Sequence, residues 1–384
     1  MQSIPAYIKY FFILASIILT SYVLIVGQAL ISPLLAALIV ALLLHPLSNK
    51  FERLKMNRGF SSVFSILVVL LALSGLSYFF SFQVGQISND LHSIGGRFQE
   101  LIDRGYGWME ATFGVEQQEQ TRYLKDSLNS FLKDSTAAVT TTVSATADFF
   151  TGFFLFLIAL FFLLYYRRFF VGFLYKCFKR DDHQKVGTTL AKVEMVVRNY
   201  IVGLFTVIFI VAILNSVGLM LLGIQHAIFF GVLAAVLTII PYIGILIGSL
   251  LPILFALVTK DSLWYPLGVA LLFWSVQFLE GNFITPNIVG GKVSINPFAA
   301  IIALFIGGMF WGALGMILSI PVLAIIKVIC DASPSLLPLA FLLDNPPEED
   351  ILEKKWVPLE SILSKRRRKK AEKKKEQNQL EDLP

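Results

Sequence analysis

The stretch Gln277-Phe278-Leu279-Glu280-Gly281-Asn282-Phe283-Ile284-Thr285-Pro286-Asn287 sets one carboxylate in apolar surroundings. Glu280 is the only acidic residue between Asp261 and Asp331, and the flanks 263–276 and 298–326 carry no charge at all. An ionised carboxylate in hydrocarbon is costly, so a solitary acid among membrane-length apolar runs points to a functional site.

Those runs decide the fold class. Of 384 residues, 56% are hydrophobic and only 15% are charged, against about 25% charged in a soluble domain. Several stretches approach the ~20 apolar residues that cross a bilayer as a helix. The expectation is an all-α polytopic membrane protein. It has about eight transmembrane helices, a C-terminal re-entrant-type hairpin and an external helical hairpin.

Working outward gives the organisation. Residues 1–82 form an N-terminal membrane region of three spans, near 7–26, 30–47 and 60–82, the first two joined by a tight turn at Gly27-Gln28. A signal peptide is the competing reading of the first run, which is long for that role and is followed almost at once by a second span. Residues 83–148 are net acidic, with nine acids and five bases. There Ile87, Leu91, Ile94, Phe98 and Leu101 step by four and three, the stripe of an external helical hairpin. Gly105, Gly107 and Gly114 mark its break, and 137–147 is a small-residue face for close packing.

Residues 149–330 form the main transport region, with spans near 149–166, 200–222 and 262–283. Within it, the connector 167–198 holds eight bases and three acids, and bulky apolar residues alternate with Lys176, Lys179 and Arg180. It reads as a basic amphipathic helix in the headgroup plane. The apolar run 227–257 is too long for one helix, and Pro241-Tyr242-Ile243-Gly244 divides it into two short spans. The run 298–328 is also too long and is interrupted by Gly307, Gly308, Gly312 and Gly315. Eight spans before it and a basic tail after it require that this run enter and leave by one face.

Residues 331–384 are a polybasic tail. Lys365–Lys375 holds nine bases and one acid, so it outweighs the net charge of +6 and leaves the rest of the chain slightly acidic. Such a cluster is a solvated cytoplasmic tail or a tether to anionic lipid. No recognisable nucleic-acid fold accompanies it. Basic loops around Arg53 and Lys179 place both termini in the cytoplasm.

Cys177 and Cys330 lack metal-ligand spacing and are expected to be reduced, small packing groups. No catalytic residue, metal site or cofactor is expected. The sequence has no His-Glu-x-x-His, no Gly-x-Ser-x-Gly and no phosphate loop ending Gly-Lys-Ser/Thr. His45 and His226 read as interfacial polar residues rather than proton relays.

The candidate site is Glu280 with Gln277, Asn282, Thr285 and Asn287. Gln277 and Glu280 share a helix face, and Pro286, Gly290 and Gly291 break the helix beyond them. Pro241 and Gly244 supply a second break. Carboxylate, amide and hydroxyl oxygens suit a hard cation or a polyol, and broken helices serve transporters at their binding sites. The competing reading is a structural ion pair between Glu280 and Lys292.

With Pro241-Tyr-Ile-Gly244, the run from Gln277 through Gly290-Gly-Lys292 to Asn296-Pro297, and Gly307-Gly308 with Trp311-Gly312, Gly315 and Pro321, the chain resembles the autoinducer-2 exporter family of bacterial permease-like proteins. The likeness covers about 13–331. It implies an oligomeric inner-membrane transporter that exports a small polar solute such as autoinducer-2. Other members imply a sodium(lithium)/proton antiporter, in which Glu280 would exchange the ions. A non-transporting membrane scaffold is the reading from a different class. The implied partners are membrane lipids, a second copy of the chain, and a small polar solute or a monovalent cation with protons.

Overall fold

The computed structural model describes residues 5–113, 149–241, 243–290 and 295–345; side chains are undescribed at 6, 9, 88–113 and 243. All regular structure among these residues is helical. The helices are α1 (Ala6–Val26), α2 (Gln28–Arg53), α3 (Arg58–Phe113), α5 (Arg167–Cys177) and α6 (His183–Leu221). They continue with α7 (Ala227–Leu237), α8 (Ile243–Thr259), α9 (Trp264–Leu279), α10 (Pro297–Ala332) and α11 (Leu337–Leu343). Helix α4 (Phe149–Tyr165) precedes α5 and makes a 70° bend with it.

The architecture is an all-α polytopic membrane protein. Five helices are long and apolar enough to cross a bilayer among the described residues, and six if the α4–α5 pair counts as one span. Each of the eight expected spans has a helix, although α7, with 11 residues, reaches only about 17 Å at 1.5 Å per residue. Lipid tails are as apolar as leucine, so close packing holds such helices together. Small residues permit it here: Ala37 and Ala41 of α2 and Ala159 of α4 are buried with Leu44, Leu160 and Leu164. Ser61 and Ser65 of α3 are fully buried, and the Ser65 hydroxyl donates to the Ser61 carbonyl at 2.7 Å.

Contacts between α6 and α9 orient the transport region. A Cβ on Gly218 would run into Leu272, and one on Gly203 would meet Val289 at 3.1 Å. The two elements are therefore antiparallel. The α7–α8 segment joins them at the Leu221 end, while α10 begins at the other. Both are helical hairpins. Gly244 of α8 sits against the Leu237 carbonyl of α7, where a Cβ has no room. Within α10, Trp311 and Gly312 leave helical geometry, Gly312 at φ 58° and ψ −138°. Gly315 then packs on the Gly307 carbonyl, a contact that a straight helix cannot make across eight residues. The run 298–328 thus doubles back at Gly312, as span parity and the basic tail require. Asn296 at its start donates its backbone N–H to the Leu343 carbonyl of α11 at 3.0 Å.

Several expectations are corrected. Helix α3 continues through Gly105 and Gly107 to Phe113, because a glycine costs about 1 kcal/mol in a helix and does not end one that is propagating. Gly114, the second arm of the external hairpin and the small-residue face at 137–147 fall outside the described residues. The connector is not a single helix, since α5 ends at Cys177. From His183 it is the first turns of α6, a single helix of 39 residues. Cys177 is exposed rather than packed, while Cys330 is buried as expected, and both are free.

Candidate functional site

Helix α9 does not break after Leu279; it widens. Residues Glu280–Ile284 and Pro286–Gly290 form π turns, and the Thr285 N–H bonds to the carbonyl of Glu280, five residues back. Pro286 is the physical reason. It has no N–H for the carbonyl four residues earlier, and its ring crowds that carbonyl. A π turn moves the bond to the next amide, and such turns are frequent at functional sites. Here the expected interruption at Pro286 and Gly290 is corrected to a widened but continuous helix. Gly291 and Lys292 lie outside the described residues, and with them the proposed ion pair.

The widening brings Gln277 and Thr285 to the same carboxylate. Gln277 Nε2 donates to Glu280 Oε2 at 2.5 Å, and the Thr285 hydroxyl donates to Glu280 Oε1 at 3.0 Å. Both carboxylate oxygens thus have neutral donors, and the three side chains are half-buried. Asn282 and Asn287 do not join them. Their amides donate to the carbonyls of Phe278 at 2.9 Å and Phe283 at 2.7 Å. They share the opposite, exposed face of the widened helix. Five residues separate Glu280 from Thr285 and also Asn282 from Asn287, close to one π turn in each case.

The two helix irregularities border one apolar cluster. Val207, Ile208 and Val211 of α6 form an apolar cluster with Ala235 of α7 and Val276 of α9. Ile239, two residues before Pro241, packs against it with Ile284 and Ile288 of the π turns. Nearby hydroxyls are used locally: Thr238 donates to the Ala235 carbonyl at 2.7 Å, and Ser249 donates to that of Leu246 at 3.3 Å. Asn215 of α6 is 2% exposed, and its Oδ1 has no partner among the described residues.

A second polar group had little trace in the sequence. His45 Nδ1 lies 2.7 Å from Glu194 Oε1, and Asn49 Nδ2 lies 3.0 Å from His45 Nε2. A neutral ring donating from Nδ1 and accepting at Nε2 fits both. These residues line a cavity of about 710 Å³ between α2, α4, α5 and α6. At its rim Arg167 lies 2.7 Å from Glu52, and Arg168 lies 3.4 Å from the same carboxylate. Burial pulls the Arg167 guanidinium below its ordinary range; Glu52 opposes this, while Arg168 and Arg58 add to it. His45 and Glu194 are 149 residues apart, and only the His45 imidazole in an apolar run hinted at their meeting. Among the described residues, no three His, Cys, Asp or Glu side chains gather as metal ligands would.

Comparison with known proteins follows from this geometry. The family profile described as "AI-2E family transporter" matches residues 11–335. "Putative transport protein YueF" of Bacillus subtilis is 26% identical over 77% of this chain and 83% of its own length. "Putative transport protein MT0215" of Mycobacterium tuberculosis is 25% identical over 82% of this chain and 86% of its own. "Putative transport protein YrrI" of Bacillus subtilis reaches 32% identity over 34% of this chain and 36% of its own.

Proposed function

The chain belongs to the AI-2E family of transporters, and from that premise we propose that it exports a small polar solute, an autoinducer-2-like polyol, past Glu280. One observation carries the reading. Both oxygens of the sole carboxylate in this apolar region are held by the neutral donors Gln277 and Thr285. They are held on a π-widened helix that packs beside the α7–α8 reversal. Hydroxyl groups of a solute can replace the Thr285 hydroxyl one for one. The wide turns and the neighbouring hairpin tip are the segments that would rearrange around it.

The setting is a bacterial inner membrane with both termini in the cytoplasm. In support, Arg167 and Arg168 meet Glu52 at one end of the helices, as expected where basic loops stay inside. The polybasic Lys365–Lys375 run would sit on anionic headgroups there. A homo-oligomer is part of the proposal.

The test is flux of a radiolabelled furanosyl diol in proteoliposomes, wild type against Glu280→Gln and Thr285→Val. The expected outcome is loss of flux in Glu280→Gln, with unchanged melting temperature, and a partial loss in Thr285→Val. Equal flux in the Glu280→Gln protein overturns the reading. The antiport alternative is favoured by the carboxylate itself. It requires sodium-driven proton movement, read with a pH-sensitive dye, that vanishes in Glu280→Gln.

A further inference from the structure

We propose that the cavity between α2, α4, α5 and α6 is a binding site for one anionic phospholipid, its phosphate on Arg168 and Arg167 and an acyl chain inside. The site is separate from Glu280 and does not depend on the transport reading.

Three observations converge on this occupant. The first is shape: about 710 Å³ is the size of a small-molecule pocket. Its walls are mostly apolar, with Leu38 and Leu42 of α2, Leu163 of α4 and Leu190 of α6 among them. The second is position. Helix α5 turns 70° away from α4 and buries none of its residues. Phe169 is 68% and Phe173 57% exposed. A short basic helix with bare phenylalanines lies in the headgroup layer, so the cavity that it roofs opens where lipid is the solvent.

The third is charge. Arg58, Arg167 and Arg168 act on one another around the single carboxylate of Glu52, leaving an excess of positive charge at the rim. The Arg167 side chain is 13% exposed and held by Glu52, whereas that of Arg168 is 63% exposed with only a 3.4 Å contact. Arg168 is therefore positioned to take a phosphate, and guanidinium groups pair with phosphate through two parallel bonds. Inside the cavity the acidic group is Glu194, which faces His45 at 2.7 Å. The charge presented to an arriving headgroup is the arginines' rather than the glutamate's.

The experiment is native mass spectrometry on the full chain, delipidated in detergent and titrated with phosphatidylglycerol or phosphatidylcholine. Thermal shift is measured alongside. Two variants probe head and tail separately. Arg168→Ala removes the exposed guanidinium. Gly172→Leu fills the cavity from α5, where a Cβ meets nothing within 4 Å, so the fold is unburdened. The wild type should retain one phosphatidylglycerol per chain, about tenfold more strongly than phosphatidylcholine, because both carry the phosphate but the choline ammonium is repelled by the excess arginine charge. Arg168→Ala should erase that preference, and Gly172→Leu should reduce retention of both lipids with no change in the lipid-free melting temperature. Retention of phosphatidylglycerol unchanged in both variants would assign it to the polybasic tail and overturn the site. So would equal retention of the two lipids by the wild type. Inorganic phosphate reproducing the thermal shift, with loss in Arg168→Ala, would replace the lipid by a free anion.

Discussion

The α7–α8 hairpin and the α10 hairpin start from opposite ends of the α6–α9 pair and reverse the chain differently. Between α7 and α8 the described part of the reversal is spread over residues 238–241. It includes Pro241, and none of its described residues has a positive φ. In α10 it is concentrated at Gly312, in a region of φ/ψ that belongs to glycine. Their surroundings differ as well. Six of the 11 residues of α7 are buried, and Ile239 just beyond its end packs on the same apolar cluster as Ile284 and Ile288 of the π turns. The buried residues of α10 all follow the turn, and its tip is tied to α1, where Trp311 Nε1 donates to the Leu24 carbonyl at 2.9 Å. The first hairpin therefore shares a packed surface with the candidate site, and the second is fastened to the N-terminal helices. Damage to the first should be read in flux as well as stability, and damage to the second in stability.

The largest effect is expected where the arms touch. Gly244→Ala and Gly315→Ala each place a methyl on a backbone carbonyl, and overpacking of this kind costs about 3 kcal/mol. Both should lower the melting temperature in detergent. Solute flux per folded molecule should fall in Gly244→Ala and persist in Gly315→Ala; the same flux in both would erase the distinction. Next comes Gly312→Ala, which should destabilise by about 2 kcal/mol through backbone strain alone, with no matching position at the first reversal. Trp311→Phe removes one half-buried hydrogen bond and should cost about 1 kcal/mol, again without lowering flux. Smallest is Gly281→Ala. A Cβ there meets nothing within 4 Å, so the change should raise stability by about 0.5 kcal/mol, as alanine does within a helix. A marked loss would mean that the π turn itself needs glycine.

Much of the fold could be read from residues in order. Span parity and the basic tail required 298–328 to double back, and glycines at 307, 308, 312 and 315 marked where its helix is interrupted. Pro241 and Gly244 marked the other reversal for similar reasons. Gly105 and Gly107 misled, since glycine permits a break without requiring one. At the site, Gln277 was legible as a neighbour of Glu280 from helical spacing, and Thr285 was named without its geometry. Asn282 and Asn287 were expected beside the carboxylate. The wider period turns them to the other face, where they serve their own backbone.

The sequence by itself determined the membrane class, the places along the chain where apolar helices lie, and the presence of one carboxylate among them. These follow from transfer free energies and periodicity, which are local properties of the chain. Only the tertiary structure decided that Thr285 shares that carboxylate with Gln277 through a π turn. It alone showed that the α7–α8 tip shares an apolar cluster with the same turn, and that His45 meets Glu194 across 149 residues in a mostly apolar cavity. Those juxtapositions depend on how helices pack and bend against one another, a choice made by close approach at a few glycines and one proline rather than by composition.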